Sequence, residues 1–253
     1  MDVIILAGGF GTRLSEYTDV TPKPMIEIGG KPILIHIIDH YQKYNIKNFY
    51  IAMGYKSDVI IKYFLKEKYS DKICKKEIIR VLDYNREYID QKIDIRLVQT
   101  GKNTMTGGRV KRMKKFICSE NFMVTYGDGI SNVNIEQLLK FHNSHSKIGT
   151  VTGVRPPARF GELEISNNLV ISFKEKPQMQ KGWINGGFFI FKKAFFDMID
   201  SDETLLEREP LEELTSNKEL LAFQHEGFWQ CMDNKRDYEL LQKIWTENNK
   251  TWQ

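Results

Sequence analysis

The N-terminal residues combine small side chains with a cation, a pattern that suits the binding of a phosphate group. An apolar run from Val3 to Leu6 predicts a short buried strand. Residues 7–9 and Gly11 follow, and their small side chains let backbone N–H groups approach a ligand closely. Arg13 comes next, and a guanidinium can bind two phosphate oxygens at once. We therefore expect a phosphate-binding loop at the end of the first strand.

Lys23 lies between two prolines, Pro22 and Pro24. Proline fixes its own φ and restricts the residue before it, so Lys23 is held on a stiff segment.

Two other phosphate motifs are excluded, because Leu14 replaces the third glycine of the dinucleotide-binding fingerprint and no P-loop pattern occurs. A strand–loop turn with a chance arginine is the alternative, but the joint presence of the loop, the arginine and Pro-Lys-Pro favours a phosphate site.

Two aspartates are candidate magnesium ligands. Asp128 lies between two glycines at the end of a predicted strand, Phe122 to Tyr126, where α/β sheets place ligand chemistry. An Asp-Gly turn is the alternative, but the predicted phosphate loop favours a Mg²⁺ ligand. Asp233 follows the largely apolar segment that begins at Gly227, and it is a second isolated carboxylate.

Further polar residues follow predicted strands in the second half of the chain. Lys176 precedes a proline, as Lys23 does, and Glu175 stands before it. Asn185 is followed by Gly186 and a second glycine, which could let a sugar lie against the backbone.

Two other segments offer groups for a phosphate or a sugar. A small-residue loop that contains Thr104 leads to Arg109, at the start of a helix predicted over residues 109–117. Helix N-termini favour anions. Glu207 and Glu209 are candidates to bind sugar hydroxyls, and a solvated acidic helix is the alternative.

The set of charged groups suits phosphoryl transfer. The sequence shows no nucleophile–histidine–acid set for covalent catalysis. We expect a phosphate oxygen of one substrate to attack the α-phosphorus of a nucleoside triphosphate, in line with departing pyrophosphate. Arg13 would hold the triphosphate, Lys23 would neutralise charge at the α-phosphate and Lys176 would hold the attacking monophosphate. Asp128 and Asp233 would hold a Mg²⁺ ion that bridges the reacting phosphates.

Composition excludes several classes of protein. The 253 residues are 41% hydrophobic and 28% charged, as in ordinary globular proteins. No stretch reaches the roughly 20 apolar residues of a membrane span, and Asp2 argues against a signal peptide. Three scattered cysteines indicate a reducing compartment, so we expect a cytoplasmic protein. A dispersed net charge of +4 argues against nucleic-acid binding.

The order of predicted elements indicates an α/β fold with a mostly parallel central sheet flanked by helices. A strand at residues 3–6, a helix at 33–44 and a strand at 49–53 follow one another as in a βαβ unit. Residues 66–93 are charged and predict an insertion. We expect it to form a small hairpin or a subunit contact, and a surface excursion is the alternative. Residues 155–173 predict a second hairpin. No repeat or linker interrupts the chain, so we expect a single domain over 1–253.

A histidine pair, His36 and His40, has a spacing that metal ligands can use. No third ligand stands nearby, so helix-surface or packing histidines are the favoured interpretation.

Several of these motifs resemble one known family. Leu6-Ala-Gly-Gly-Phe-Gly-Thr-Arg-Leu14 with Pro22-Lys-Pro-Met25 resembles the signature of the sugar-1-phosphate nucleotidyltransferases. Further motifs are similar to the glucose-1-phosphate cytidylyltransferase branch of that family, and they lie at residues 101–109, 126–129, 159–163, 175–177, 184–189 and 227–233. The resemblance implies a Rossmann-like nucleotidyltransferase fold and the transfer of a cytidylyl group from CTP to α-D-glucose 1-phosphate with Mg²⁺. The products would be CDP-glucose, used in bacterial O-antigen polysaccharide, and pyrophosphate.

The resemblance also implies roles for residues of this chain. Nucleotide contacts would be Leu6, Ala7, Gly8, Gly9, Phe10, Gly11, Thr12, Arg13, Lys23, Thr104, Arg109 and Asp128. Sugar-phosphate contacts would be Lys176, Gly161, Glu175, Asn185 and Gly186. Catalytic residues would be Arg13, Lys23 and Lys176, and metal ligands would be Asp128 and Asp233.

The family's members form homo-oligomers, so the resemblance implies one here. The uridylyl- and thymidylyltransferase relatives share the first loop and Lys23, so these motifs do not distinguish the base. The loop from Thr104 to Arg109 is the feature that points to cytosine. Alternatives are a nucleotidyltransferase for another sugar 1-phosphate or for UTP or dTTP, a glycosyltransferase and a non-catalytic subunit. The sequence around Asp128 lacks the Asp-x-Asp of glycosyltransferases, and a non-catalytic subunit would be expected to lose the charged set.

Overall fold

The computed structural model describes residues 1–11, 20–66, 76–81, 93–156, 162–166, 168–174, 182–247 and 252. The strands in these residues are β1 Asp2–Ala7, β2 Glu27–Ile28, β3 Lys31–Pro32, β4 Asn48–Met53, β5 Ile78–Val81, β6 Asp94–Gln99, β7 Asn121–Tyr126, β8 Gly129–Ser131, β9 Gly149–Val154, β10 Glu162–Ser166, β11 Leu169–Lys174, β12 Ile184–Lys192, β13 Leu220–His225 and β14 Trp229–Cys231. The α-helices are α1 Ile33–Gln42, α2 Ser57–Leu65, α3 Thr106–Met113, α4 Ile135–Asn143, α5 Glu209–Ser216 and α6 Lys235–Thr246.

An eight-stranded sheet with the order β13-β9-β12-β7-β1-β4-β6-β5 forms the centre of the molecule. β1 pairs in parallel with β4 on one side and with β7 on the other, and β4 pairs in parallel with β6. β12 and β5 run antiparallel to their neighbours. The predicted α/β class and the mostly parallel sheet are confirmed. Because β1, β4, β6 and β7 are parallel, their carboxyl ends meet at one edge of the sheet.

Helices cover both faces of this sheet, which explains why central strands such as β1 and β4 are buried along almost their whole length. Residues of β1 alternate between two buried clusters, with Val3 and Ile5 on one face and Ile4 and Leu6 on the other. The first cluster includes apolar side chains of α1, α2 and α4, and the second includes side chains of α3 and α5.

The start of α3 differs from the sequence prediction. The helix begins at Thr106 and ends at Met113, rather than spanning 109–117, so Gly107 and Gly108 lie inside it. Both glycines pack against the backbone of residues 202–204, where a Cβ at Gly108 would come within 2.5 Å of the Asp202 carbonyl oxygen. The N–H groups of both also donate to the carbonyl of Thr204, at 3.0 and 3.2 Å. This tertiary contact outweighs the low helix propensity of glycine.

The two regions predicted to contain hairpins are partly described. β5 pairs antiparallel with β6 at the edge of the central sheet, so part of the predicted 66–93 insertion is a strand. The remainder of the 66–93 insertion, residues 67–75 and 82–92, lies outside the described residues. β10 and β11 form the second predicted hairpin as a separate antiparallel pair, and Asn168 has the left-handed conformation (φ +66°) that such turns use.

The histidine pair of α1 is buried, as the packing interpretation predicted. His36 Nε2 hydrogen-bonds the carbonyl of Ile28 at 2.9 Å, and His40 Nε2 hydrogen-bonds the carbonyl of Val133 at 2.8 Å. The first bond ties α1 to β2, and the second ties it to the segment that follows β8. No helix of the described residues is long and apolar enough to cross a membrane.

Candidate active site

Lys23 lies between two carboxylates at the carboxyl edge of the sheet. Its Nζ is 2.7 Å from Oδ2 of Asp128 and 2.6 Å from Oδ1 of Asp233. The lysine begins a 3-10 turn whose next two residues, Pro24 and Met25, are buried. The turn therefore anchors the lysine backbone, as the Pro-Lys-Pro sequence predicted, while the side chain reaches the carboxylates.

The two carboxylates hold Lys23 in its charged form. Burial alone would lower the pKa of Lys23, but the charges and hydrogen bonds of Asp128 and Asp233 outweigh burial and raise the pKa above its ordinary value. A cation is therefore fixed at this edge across the physiological range of pH.

A short ladder brings Asp233 to Asp128. β14 pairs antiparallel with β8, and Gly129 lies opposite Cys231. One residue further along, the N–H of Met232 donates to the carbonyl of Asp128 at 2.9 Å. Two carboxylates 105 residues apart in sequence thus reach the same lysine, and the strand pairing sets their separation.

The side chain of Cys231 stands beside the second carboxylate. Its Sγ is 3.7 Å from Oδ2 of Asp233. Burial, and after it the charges of Asp233 and Asp128, raise the pKa of the Cys231 thiol to about 12. The thiol therefore stays protonated and serves as a weak donor to the carboxylate.

The first loop extends from β1 at the same edge. The carbonyl of Gly8 accepts the backbone N–H of Tyr55 at 3.1 Å, and the ring of Phe10 lies 5.1 Å from the ring of Tyr55. Phe10 is 44% exposed and Gly9 is exposed, so the outer part of the loop is open to solvent. The geometry up to Phe10 fits a loop whose inner end is fastened and whose outer residues are exposed to solvent, where a ligand would approach.

Arg109 fastens the inner end of that loop. The guanidinium is buried, and it donates to the carbonyls of Gly8 at 2.8 Å, Gly101 at 2.7 Å and Met53 at 3.2 Å. It also donates to Oγ1 of Thr100 at 2.7 Å. A Cβ at position 8 would collide with the guanidinium, so only glycine allows this approach. Burial, and then the charge of Arg112, lower the pKa of Arg109 to about 10.

The structure therefore places Arg109 beneath the loop rather than at an open helix mouth. Thr104, the other residue predicted to contact nucleotide in this region, is also buried, and a Cβ at Gly101 would lie 2.6 Å from its Oγ1. Direct contacts of both residues with a nucleotide stay predictions.

A second polar cluster lies beside Asp128, on the side of β12. The hydroxyl of Tyr126 donates to Oε1 of Glu207 at 2.7 Å and accepts from Nδ2 of Asn185 at 3.1 Å. The hydroxyl of Thr106 donates to the other Glu207 oxygen at 2.7 Å. Burial, and then the charge of Glu207, raise the pKa of Tyr126. The tyrosine therefore stays protonated and directs its proton to Glu207.

This cluster orients Asn185, one of the predicted sugar-phosphate contacts. Its Oδ1 accepts the N–H of Gly187 at 2.8 Å, which leaves the amide NH₂ group on the side of Tyr126. The carbonyl of the neighbouring Gly186 accepts the indole N–H of Trp229 at 2.8 Å. The predicted sugar contacts Asn185 and Gly186 thus connect to β14, the strand that leads to Asp233.

Sequence reasoning gave no role to Tyr126, Trp229 or Asp237, which all contact residues of this site. Tyr126 had a signal, because it directly precedes the glycine before Asp128. For Trp229 the sequence offers no signal beyond its place in the motif that ends at Asp233. Five residues predicted for the site lie outside the described residues, and their assignments stay predictions: Thr12, Arg13, Gly161, Glu175 and Lys176.

The two carboxylates could serve a metal ion only together with further ligands. In the part of the chain that the structure describes, no group of three or more His, Cys, Asp or Glu side chains could hold a metal. Asp128 and Asp233 nevertheless supply oxygen atoms that face one common cation, the Lys23 ammonium. Mg²⁺ prefers oxygen ligands and is commonly bound by one or two carboxylates with substrate phosphates, so the donor set fits this ion.

Comparison with known proteins identifies the family. The chain matches the nucleotidyl transferase family over residues 2–246. It is 44% identical over 257 residues to the glucose-1-phosphate cytidylyltransferase of Salmonella typhi, with 100% of this chain and 98% of that protein covered. It is 36% identical over 258 residues to a protein of Bacillus subtilis (strain 168) described as "Probable glucose-1-phosphate cytidylyltransferase", with 100% and 99% covered.

A solved structure extends the comparison to three dimensions. The structure of HddC from Yersinia pseudotuberculosis complexed with GMP-PN has a TM-score of 0.69 and 25% sequence identity, with 96% of this chain and 99% of that chain covered. The chain belongs to the nucleotidyl transferase family, and the resemblance seen in the sequence motifs is confirmed.

Proposed function

We propose that this nucleotidyltransferase transfers the cytidylyl group of CTP to α-D-glucose 1-phosphate and releases CDP-glucose and pyrophosphate. The convergence of Lys23, Asp128 and Asp233 beside the glycine-rich loop is the observation that carries the chemistry. The identity of 44% along the whole chain to the Salmonella typhi protein supports the choice of substrates.

The reaction is a direct exchange at one phosphorus atom. A phosphate oxygen of glucose 1-phosphate forms a bond to the α-phosphorus of CTP. The bond from that phosphorus to the oxygen that bridges the α- and β-phosphates breaks, and pyrophosphate leaves with the bonding electrons. Two anions must approach each other, so fixed positive charge at the α-phosphate lowers the barrier. Lys23 is the described residue that supplies this charge.

Asp128 and Asp233 would hold Mg²⁺. When bound, the ion supplies Lewis-acid stabilisation of phosphate oxygens. Lys23 contacts both carboxylates, so the lysine and the metal-binding groups are positioned as one unit.

The remaining roles are proposals from the sequence. Arg13 would hold the triphosphate and Lys176 the attacking monophosphate, with Asn185 oriented toward the sugar by Tyr126. In the first loop, residues 8–11 would offer backbone N–H groups to the nucleotide, and Arg109 would keep that loop in place.

Pyrophosphate release with Mg²⁺ and glucose 1-phosphate tests the proposal, with CTP, UTP, dTTP, ATP and GTP compared separately. We expect release with CTP. Release with UTP or dTTP instead would contradict the choice of base and favour the alternative nucleotidyltransferase. Absence of release with all five nucleotides would contradict the proposed reaction with this sugar phosphate.

We also propose that the chain folds as one unit and forms a homo-oligomer. Light scattering on the purified protein measures the mass of the particle against 29.7 kDa for one chain. A monomer at all accessible concentrations would contradict the second part, and two separate unfolding transitions would contradict the first.

A further inference from the structure

We propose that Asp237 is a positioning residue that holds the Asp233 carboxylate in place for the metal, an inference that rests on the proposed function. Asp237 lies in the first turn of α6 and is 7% exposed. Its Oδ2 accepts the backbone N–H of Asp233 at 3.0 Å and the backbone N–H of Asn234 at 3.2 Å. The segment that carries the second carboxylate is thus fastened to the start of a helix.

Helix capping accounts for only one of these two bonds. In a capping box the third helical residue accepts the N–H of the cap residue, here Asn234, and the cap side chain accepts the N–H of Asp237 at 3.1 Å. The bond to the N–H of Asp233 lies outside that motif. It holds a residue before the cap, so the stability of the helix does not require it.

Successive backbone groups from Cys231 to Asp233 are held by different partners. Nε2 of the buried Gln230 donates to the carbonyl of Cys231 at 2.7 Å and to Oδ1 of Asp237 at 3.3 Å. The N–H of Met232 donates to the carbonyl of Asp128, and the N–H of Asp233 donates to Asp237. Asp237 therefore completes a series of bonds that connects the two carboxylates through the backbone.

A purely structural role for Asp237 makes a different prediction. Asn134 is the N-cap of α4, and its Oδ1 accepts the N–H of Gln137 at 2.9 Å, so it makes one helix-capping hydrogen bond, as Asp237 does with the N–H of Asn234. Asn134→Ala therefore removes a comparable cap without touching residues 231–233. If Asp237 acts only on its helix, the two alanine variants lose stability and change nothing else.

Binding of Mn²⁺, used as the probe ion and followed by electron paramagnetic resonance, separates the two roles. For Asp237→Ala we expect an Mn²⁺ dissociation constant raised by about 10-fold or more, in the range that loss of outer-shell partners causes. Asn134→Ala should leave the constant unchanged. The half-saturating Mg²⁺ concentration in pyrophosphate release should rise in parallel for Asp237→Ala alone.

A double-variant comparison tests whether the effect passes through Asp233. In an Asp233→Asn background, adding Asp237→Ala should change the Mn²⁺ dissociation constant by less than about twofold, because coupled sites are not additive. Asp237→Asn keeps one acceptor oxygen for the backbone N–H groups and provides a folded variant if the alanine protein unfolds. Its Mn²⁺ dissociation constant should rise by about threefold, because a neutral amide oxygen holds the N–H of Asp233 less strongly than a carboxylate does.

Three results would overturn the inference. The first is an unchanged Mn²⁺ dissociation constant in folded Asp237→Ala, or in Asp237→Asn if the alanine protein unfolds. The second is a change equal to that of Asn134→Ala, and the third is full additivity in the Asp233→Asn background. Failure of the proposed function has a different signature, because the unchanged protein would then bind Mn²⁺ and release no pyrophosphate with any nucleotide.

Discussion

Replacing Arg109 by alanine removes the buried guanidinium that fastens the first loop to the sheet. Four backbone carbonyls would lose a donor, those of Gly8, Met53, Gly101 and Lys102. The carbonyl of Gly8 keeps the N–H of Tyr55, and the carbonyl of Met53 keeps the N–H and the hydroxyl of Thr100. Thr100 would lose its contact as well. Because Gly8 belongs to the predicted phosphate-binding loop, the change should affect both stability and activity.

The expected loss can be worked from these contacts. The carbonyls of Gly101 and Lys102 lose the donor described for them, which costs about 1 kcal/mol each, the low end of the range that applies if water enters the space. The other carbonyls keep a second donor, so the bonds that they and Thr100 lose add about 1 kcal/mol together, and the polar part of the loss is about 3 kcal/mol. Loss of the buried aliphatic part of the side chain adds about 1–2 kcal/mol. The free energy of unfolding should fall by about 4–5 kcal/mol. Release of Gly8 should lower kcat by about 100-fold, the usual result of a misplacement of about 1 Å.

Arg109→Lys is a milder version of the same change. It keeps the charge and most of the aliphatic chain, but an ammonium lacks the planar fork that reaches several acceptors in fixed directions. We expect a loss of about 2 kcal/mol, roughly the value of two unmade hydrogen bonds.

Urea unfolding and pyrophosphate release measure the two effects, with Arg112→Ala as the matched control. Arg112 lies on the same helix, is exposed, and pairs with Asp202 at the surface. Exposed ion pairs contribute less than about 1 kcal/mol, so this variant should stay close to the unchanged protein. If Arg109→Ala unfolded at the same urea concentration as Arg112→Ala and showed only a higher KM for CTP, Arg109 would contact the nucleotide, and its assignment to the loop would be wrong.

Three further predictions concern other parts of the molecule. Lys23→Ala should leave a folded protein with kcat lowered by at least about 100-fold. Lys31 is another lysine before a proline, and Lys31→Ala should keep near-normal kcat. Equal activity of the two variants would refute the role of Lys23. Burial lowers the pKa of His40 to about 4, so its proton uptake on unfolding should lower stability as pH falls from 6.5 to 4, by about 3 kcal/mol in total. His40→Gln should flatten this dependence in urea unfolding, and an unchanged slope would contradict the assignment. Glu207→Gln should raise the KM for glucose 1-phosphate several-fold and leave the KM for CTP unchanged, whereas Glu203→Gln, an exposed control, should alter neither.

Much of the central sheet could be predicted because its strands are short apolar runs bounded by polar or small residues. β1 was predicted over residues 3–6 and spans Asp2–Ala7. β4 and β7 agree equally closely, at Asn48–Met53 and Asn121–Tyr126. These strands are buried on both faces, so burial alone selects their residues and local sequence suffices.

The start of α3 could not be predicted for a physical reason. Two glycines argue against a helix in local terms, and the contact with residues 202–204 that reverses this preference comes from a segment about 100 residues away. The consequence reaches the candidate site. A shift of three residues rotates a helical position by about 300°, and Arg109 consequently lies inside the protein instead of at the first turn.

The arrangement around Lys23 shows which features of a site can be predicted from the sequence. Side-chain type and a stiff backbone identified Lys23, Asp128 and Asp233 one by one. Their meeting depends on the pairing of β8 with β14, two strands of three residues each, and neither strand is long or apolar enough to reveal its partner. Strand register is set by the elements packed on both sides, here α1 against β8 and α6 against β14. It follows that residues outside the sequence motifs, such as Asp237 at the start of α6, should help to control the distance between the two carboxylates.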